Sequence, residues 1–246
     1  MTFPIYSKPV PYVNTTQMIE VDRAMMEDYK IELIQMMENA GRNLAHLARQ
    51  RFLSGDPRND RIVILAGTGG NGGGAMVCAR RLHNWGAHIQ VFITKPAEEF
   101  SGVPAHQLEI LQRMGIPVEQ ADSLATIQRT DLIIDGLIGY SLKGAPHGTA
   151  ASLIEWANGQ VAPILSLDAP SGIDTHTGTI FDPAMQATAT MTLALPKEGL
   201  RADGVQKYVG ELYLADIGVP PNLYAEPALA LDVSHIFARR EIIRLS

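Results

Sequence analysis

Two aspartates stand where polar chemistry is expected in this chain of 246 residues. Asp135 and Asp168 each end a short apolar run of Ile and Leu, the pattern of a buried parallel strand. Isolated carboxylates beside apolar strands need backbone amides, a cation or a ligand as partners. A helix cap or a loop brace would satisfy either acid alone. Two acids at one sheet edge, flanked by glycine-rich loops, favour a binding or catalytic site.

A glycine-rich segment follows another apolar run, at residues 62–66. Residues 67–75 read Gly-Thr-Gly-Gly-Asn-Gly-Gly-Gly-Ala, and a helical pattern comes next. Such a segment lets the backbone approach a phosphate, and the amides at a helix N-terminus favour anions. The segment matches neither the dinucleotide Gly-x-Gly-x-x-Gly register nor a P-loop with its Lys, which disfavours a small-molecule kinase. We predict a phosphorylated ligand, most plausibly a nucleotide, although a plain strand-to-helix turn also uses glycine.

Oxygen atoms dominate the polar side chains near these strand ends. Asn71, Asp135 and Ser171 offer hard oxygen ligands, which suit an alkali or alkaline-earth cation rather than zinc. Lys143, on a glycine-flanked loop, could reach a phosphate. The histidines lack the spacing of a zinc site. No His partner is evident for Ser171 and there is no Gly-x-Ser-x-Gly elbow, so a Ser-His-Asp hydrolase is disfavoured.

Composition restricts the partners and the compartment. The formal net charge is −6, without the basic face that nucleic-acid binding needs, so we expect no nucleic-acid partner. The single cysteine, Cys78, excludes an internal disulfide and is predicted to be a buried apolar residue. No stretch reaches the roughly 18 apolar residues of a membrane span, and the N-terminus lacks a secretory pattern. We expect a cytoplasmic protein without a membrane partner.

Strands and helices alternate through most of the sequence. The capping pattern of Asn14 and Gln17 predicts a helix through about residue 29, and apolar spacing predicts a second at 31–52. Further strands are predicted at 62–66, 89–93, 118, 131–135, 164–168, 189–195 and 210–214, and helices at 76–85, 105–114, 124–128 and 150–156. This order predicts one domain over residues 1–246, a three-layer α/β Rossmann-like sandwich with a mainly parallel sheet and two leading N-terminal helices. Ligands of such sheets bind beyond the carboxyl ends of the strands.

Several motifs occur together, in order, from about Thr15 to Pro220. They are Gln17-Met18 with Asp22-Arg23, Met37 to Arg42, the glycine-rich segment, Ile134 to Gly136 with Gly139 to Gly144, Asp168 to Asp174, Thr177-Gly178, Leu195 to Leu200, and Ala215 to Pro220. With these motifs the chain resembles the NAD(P)H-hydrate epimerase family, the YjeF N-terminal domain. The resemblance implies a three-layer α/β fold and a homodimer. It also implies a metabolite-repair isomerisation, the interconversion of the R and S epimers of hydrated NADH and NADPH (NADHX and NADPHX).

The resemblance also implies roles for individual residues. Asn71, Asp135 and Ser171 match positions that hold a potassium ion. The substrate-contacting positions are matched by Gly70, Asn71, Gly72, Gly73, Gly74, Gly139, Tyr140, Ser141, Leu142, Lys143, Gly144, Ala145 and Asp168. The damaged carbon of the substrate is a carbinolamine, which can lose its hydroxyl and regain water on either face. A buried carboxylate suits the proton transfer, and we predict that catalytic role for Asp168.

The glycine-rich segment departs from the family pattern, Gly-Pro-Gly-Asn-Asn-Gly-Gly-Asp-Gly. Gly70 replaces an Asn and Gly74 replaces an Asp that we expect at the mouth of the turn, and Thr188 replaces another expected acid. A buried charge-assisted hydrogen bond contributes roughly 1.5–3 kcal/mol. Two interpretations stay open: a working epimerase with a modified segment, or a non-catalytic nucleotide-binding or assembly module, as family members in mRNA-decapping scaffolds suggest. The retained polar residues favour the enzyme.

Overall fold

The central element of the fold is a sheet that comprises nine strands within the described residues. A computed structural model describes residues 3–121, 124, 127 and 129–245. The strands are β1 (Ile5–Tyr6), β2 (Arg61–Ala66), β3 (His88–Ile93), β4 (Val118–Gln120), β5 (Leu132–Gly136), β6 (Ile164–Leu167), β7 (Ala189–Leu193), β8 (Glu211–Ala215) and β9 (Ile242–Leu245). Their order is β1-β9-β8-β7-β6-β5-β2-β3-β4. Pairing is parallel from β8 through β4 and between β1 and β9, and antiparallel between β8 and β9.

Helices cover both faces of this sheet. They are α1 (Thr15–Glu27), α2 (Leu33–Arg51), α3 (Gly70–Asn84), α4 (Gly102–Arg113), α5 (Thr149–Asn158), α6 (Gln206–Val209) and α7 (Pro221–Ala225), with 3-10 helices at Ala97–Glu99 and Glu198–Arg201. Alternate residues of β2 face opposite layers, because side chains alternate along a strand. Ile62 and Ile64 join the core beneath α2, α3 and α4, whereas Val63 and Leu65 join the core beneath α5. The predicted three-layer α/β sandwich with a mainly parallel sheet is confirmed.

The two leading helices form as predicted, with differences at their exposed faces. The Gln17 N–H donates to Asn14 Oδ1 at 2.9 Å, and the Asn14 N–H donates to Gln17 Oε1 at 3.0 Å, so the capping box is present. Met26 of α1 and Leu33 of α2 are apolar but 38% and 36% exposed. They belong to the wall of a cavity described below instead of the core.

The glycine-rich segment forms part of a helix, which corrects the predicted start at Met76. Helix α3 begins at Gly70, although glycine is a poor helix former. Close packing requires the small residues: a Cβ at Gly73 would lie 2.4 Å from Met37 Sδ. A Cβ on Gly72 would lie 1.8 Å from the Gly67 carbonyl oxygen. Tertiary packing therefore overrides helix propensity at the first turn of α3.

Several parts of the chain fall outside the sequence prediction. Strands β1 and β9 and helices α6 and α7 had no predicted counterpart, and the predicted helical turn at 124–128 lies largely outside the described residues. Cys78 is fully buried, as predicted, and burial raises the pKa of its thiol. Within the described parts of the chain, no helix is long and apolar enough to cross a membrane.

Candidate functional site

A cavity of about 1120 Å³ opens at the carboxyl ends of β2, β3 and β5. After β2 the chain continues outward to β3 and β4 and then returns to β5 on the other side of β2, which makes this a topological switch point. Residues 67–71 and 137–150 form two walls, and α1 with the start of α2 contributes Ile19, Asp22, Arg23, Met26, Glu27 and Leu33. Ligands of open parallel sheets bind at such points. The volume exceeds the roughly 300–1,000 Å³ of most small-molecule pockets and leaves room for a dinucleotide.

Only the first part of the glycine-rich segment lines this cavity. Gly70 and Asn71 line it, whereas residues 72–74 are buried against the neighbouring elements. The first intrahelical bond of α3 runs from the Gly73 N–H to the Gly69 carbonyl at 3.0 Å. The N–H groups of the residues before Gly73 therefore lack helical acceptors, as at any helix start. This end of α3 is suited to an anion.

The loop after β5 forms the opposite wall. All seven predicted substrate-contacting residues of this loop line the cavity: Gly139, Tyr140, Ser141, Leu142, Lys143, Gly144 and Ala145. Two other cations of the cavity are paired with nearby carboxylates, Arg23 with Glu20 at 2.7 Å and Lys95 with Glu99 at 3.5 Å. Lys143 is exposed and forms no ion pair with any described residue. It is thus the cation of this wall best able to meet a phosphate.

Asn71 joins the two walls. Its Nδ2 donates to the Leu167 carbonyl at 2.7 Å, which links the start of α3 to the end of β6. A Cβ at position 139 would lie 2.5 Å from Asn71 Oδ1, so this close approach requires Gly139. The amide oxygen of Asn71 is thereby held between the loops that follow β2 and β5.

Asp135 is fully buried beneath the cavity. Its carboxylate accepts four hydrogen bonds. They come from the Ser171 Oγ at 2.6 Å, the Ser171 N–H at 2.9 Å, the Ser166 Oγ at 2.8 Å and the Leu137 N–H at 3.2 Å. Burial raises the pKa of Asp135, and these hydrogen bonds oppose the increase. No cationic side chain of the described residues contributes to that balance. The predicted residues Asp135 and Ser171 are thus in direct contact.

Asn71, Asp135 and Ser171 each carry a side-chain oxygen that could serve as a cation ligand. A buried carboxylate without a cationic side-chain partner is costly unless it is protonated or meets a bound ion. The three donor groups are an amide, a carboxylate and a hydroxyl, which hard cations prefer. The described residues contain no cluster of three or more His, Cys, Asp or Glu suited to a metal ion. The chemistry of the set therefore matches an alkali ion better than a transition metal.

Asp168 lies at the end of β6 and pairs with a lysine that the sequence analysis did not assign. Lys197 Nζ donates to Asp168 Oδ1, to the Leu193 carbonyl at 2.9 Å and to Thr192 Oγ1 at 3.3 Å. Asp168 adopts a φ of +66°, and its N–H donates to the Met191 carbonyl at 2.8 Å. Neither Asp168 nor Lys197 is among the cavity-lining residues. Lys197 could have been found as the charged residue inside the motif Leu195 to Leu200.

A second acid, Asp22 on α1, lines the cavity directly. Tyr140 from the loop after β5 donates its hydroxyl to Asp22 Oδ2. Burial raises the pKa of Asp22, hydrogen bonding to Tyr140 and the charge of Lys197 lower it, and the charge of Asp168 raises it. Burial and then Asp22 raise the pKa of Tyr140. Asp22 belongs to the motif of Gln17-Met18 with Asp22-Arg23, but its sequence pattern alone indicates no function.

Two departures from the family pattern lie away from the cavity. Thr188 precedes β7 and its Oγ1 accepts the Ile164 N–H at 3.1 Å, at the sheet edge opposite the cavity. Position 74 is buried, and a Cβ there would lie 2.8 Å from Leu167 Cδ2 and 3.8 Å from Ala40 Cβ. This corrects the expectation that position 74 stands at the mouth of the segment. The third departure, Gly70, does line the cavity.

The chain is similar to known proteins in sequence and in fold. A family model described as YjeF-related protein N-terminus matches residues 33–199. An NAD(P)H-hydrate epimerase from Dehalogenimonas lykanthroporepellens is 41% identical over 213 residues, which cover 86% of this chain and 84% of the relative. This chain belongs to the YjeF-related N-terminal family. Another family member, an NAD(P)H-hydrate epimerase from Rhodopirellula baltica, is 32% identical over 89% of this chain and 90% of its own length.

A longer protein and a solved structure are also similar to this chain. The bifunctional NAD(P)H-hydrate repair enzyme of Moorella thermoacetica is 37% identical over 87% of this chain, which corresponds to 41% of that protein. This chain thus matches only part of the bifunctional relatives. The crystal structure of yeast ynu0, YNL200c, has a TM-score of 0.79 at 24% identity and covers 96% of this chain and 100% of the yeast chain. The structural likeness supports the same fold.

Proposed function

We propose that this chain is an NAD(P)H-hydrate epimerase, which interconverts the R and S epimers of NADHX and NADPHX. The observation that carries the proposal is the identity of 41% to a named epimerase over most of both chains. The cavity at the switch point supports it, because the predicted substrate-contacting loop 139–145 lies there beside the start of α3. The reaction is an isomerisation and needs no redox partner.

The cavity suggests how the substrate is held. The diphosphate would lie against the first N–H groups of α3 beside Gly70, with Lys143 supplying a positive charge from the facing loop. Met26 and Leu33 offer apolar surface to the flat rings of a dinucleotide. Asp135 and Asp168, which are buried beneath the cavity, would then lie close to the reacting carbon of the substrate.

The proposal includes a potassium ion held by Asn71, Asp135 and Ser171. Its support is the all-oxygen donor set and the absence of a cationic side-chain partner for Asp135 among the described residues. When bound, the ion supplies a positive charge that stabilises the buried carboxylate. Ser171 belongs to the loop after β6 and Asn71 to the first turn of α3, so the same residues also fix these two segments relative to β5.

Asp168 is the candidate for proton transfer in this proposal. The substrate hydroxyl leaves the carbon beside the ring nitrogen once its oxygen receives a proton, and water returns to either face. A carboxylate that is held in one position suits this exchange. The ion pair with Lys197 and a positive φ fix the position of Asp168 at the end of β6.

Epimer exchange tests the proposal. Purified protein is mixed with the separated R epimer of NADHX, and the S epimer is followed by chromatography, in potassium and in choline buffers. We expect exchange well above the uncatalysed rate, dependent on potassium and much slower in Asp168→Asn. Asp56→Asn, a change at an exposed position outside the cavity, serves as the control. Exchange at the uncatalysed rate with the nucleotide still bound would instead support the non-catalytic module.

The homodimer implied by the family resemblance also belongs to the proposal. Light scattering during gel filtration measures the mass directly. We expect twice the mass of one chain, and a mass equal to that of one chain at all concentrations would contradict it.

A further inference from the structure

The cavity carries a pair of side chains, Asp22 and Tyr140, to which the family resemblance assigns no proton transfer. Asp22 and Tyr140 both line the cavity, and the Tyr140 hydroxyl donates to Asp22 Oδ2. Asp168, in contrast, does not line it and has an exposed fraction of 2%. The Tyr140 hydroxyl lies on the cavity wall beside a carboxylate, and from there it can reach the oxygen of a bound substrate.

Packing holds this pair in place. Met18, Val21 and Met25 of α1 are buried in a cluster with Leu223 and other residues, and the Tyr140 ring packs against the same cluster. The segment before α1 is joined to the Lys197 segment, since the Val13 N–H donates to the Pro196 carbonyl at 2.9 Å and the Glu198 N–H donates to the Val13 carbonyl at 3.0 Å. Helix α1 therefore presents Asp22 from a fixed position.

The charges around Asp22 allow its carboxylate to bind and release one proton. Four titratable groups face it: Tyr140, Lys197, Asp168 and Tyr224. Asp22, Asp168 and Lys197 carry a formal charge of −1, −1 and +1, which leaves one negative charge that one proton would neutralise. The buried Tyr224 hydroxyl has no hydrogen-bond partner among the described residues, so it does not compete for the Asp22 oxygens.

We propose that Tyr140 is a catalytic residue that passes a proton between the reacting oxygen and Asp22, and that Asp22 is its positioning residue. The inference rests on the proposed epimerase function and is an alternative to direct proton transfer by Asp168, which does not line the cavity. It assigns the proton transfer at the cavity wall to side chains from α1 and from the loop after β5.

The reaction has two halves, and the proton that Asp22 gives up in the first half returns to it in the second. The first half starts with protonated Asp22, and the hydrogen bond between the two side chains then runs from Asp22 to the Tyr140 oxygen. Asp22 gives its proton to that oxygen, and Tyr140 gives its own proton to the substrate hydroxyl. The C–O bond breaks with its electron pair on oxygen, water leaves, and the ring nitrogen lone pair forms a C=N bond. In the second half, water attacks the opposite face, the nitrogen regains its lone pair, and a proton returns through Tyr140 to Asp22. The high pKa of Tyr140 favours concerted proton shifts without free tyrosinate.

Tyr140→Phe and Asp22→Asn test the inference, with Tyr29→Phe as the matched control. Tyr29 also donates its hydroxyl to a carboxylate, that of Glu226, at 3.1 Å, but lies outside the cavity. We expect each test variant to lose about 100-fold or more in kcat with KM nearly unchanged. The double variant should be no slower than the slower single variant, because both residues serve one step. The control should match the wild type.

Further readouts separate this role from a structural one. The step begins with protonated Asp22, so kcat of the wild type should fall as pH rises and Asp22 loses its proton. That fall should disappear in Asp22→Asn, and Asp22→Glu should restore part of kcat. Unfolding midpoints and nucleotide binding should match the wild type in all variants. If Tyr140→Phe keeps kcat within threefold of an active wild type, the inference is wrong while the epimerase proposal stands. If the wild type itself shows no exchange, the epimerase proposal fails first.

Discussion

Lys197 neutralises Asp168 in a position from which water is almost excluded. The two residues have exposed fractions of 1% and 2%, and Lys197 Nζ donates to Asp168 Oδ1. Two further acceptors, Leu193 and Thr192, satisfy the ammonium group. The loop that follows β7 is thus joined to the end of β6 directly below the cavity. A buried pair of this kind makes each partner depend on the other.

Removal of Lys197 alone should strongly destabilise the fold. In Lys197→Met the Asp168 carboxylate stays buried without a cation, which costs about 3–5 kcal/mol of unfolding free energy. The double variant Asp168→Asn with Lys197→Met should recover part of this loss, because it leaves no buried carboxylate without a cation. Asn is chosen at position 168 because it tolerates the positive φ there. Urea unfolding measures both. A loss below about 1 kcal/mol in the single variant would contradict a buried ion pair.

Potassium should stabilise the protein more at higher pH. Burial raises the pKa of Asp135 above the usual 3.8, so the folded state binds this proton more tightly than the unfolded state. Without potassium, the contribution of Asp135 to stability is present below pH 3.8 and is lost as pH rises through the raised pKa. A bound cation should offset that loss, by about 2.7 kcal/mol at a hundred times its Kd.

Thermal unfolding in potassium chloride and in choline chloride, at matched ionic strength across the pH range, measures this effect. Asp135→Asn removes the charge and should remove the difference between the two salts. A potassium effect that is equal in the wild type and in Asp135→Asn would show that the ion binds elsewhere. A shift of the same size at every pH would exclude a titrating ligand.

Lys143 should contribute to substrate affinity and little to kcat. Its side chain is exposed and has no ion-pair partner among the described residues, so Lys143→Ala should leave stability unchanged. An exposed charge contact contributes up to about 1 kcal/mol, or roughly a fivefold rise in KM. The effect should diminish at high salt because of screening. Lys8→Ala, which changes an exposed lysine outside the cavity, should leave KM unchanged at any salt concentration.

Strong local patterns allowed much of the fold to be predicted. The apolar run 62–66 and the acids at 135 and 168 place strands and their carboxyl ends without knowledge of tertiary contacts. The capping pattern at Asn14 likewise depends only on neighbouring residues. The predicted groups of Asp135 and Ser171 meet because parallel strands end at the same edge.

The missed features depend on contacts between distant segments. The first turn of α3 lies in the glycine-rich segment, where Met37 and the Gly67 carbonyl leave no space for side chains, and the sequence does not reveal these contacts. Lys197 and Asp22 acquire their importance only when α1 and the loop after β7 meet beneath the cavity. Position 74 faces Leu167 instead of the cavity for the same reason.

The two altered positions of the glycine-rich segment should respond differently when the family residues are restored. A Cβ at Gly70 would have Met37 Cε as its nearest neighbour, at 3.8 Å, so Gly70→Asn should fold normally. A Cβ at Gly74 would lie 2.8 Å from Leu167 Cδ2, so Gly74→Asp must displace that side chain and bury a carboxylate. The expected cost is about 1–3 kcal/mol for an unsatisfied polar group. Urea unfolding of both variants compares them, and a Gly74→Asp variant as stable as Gly70→Asn would contradict this packing.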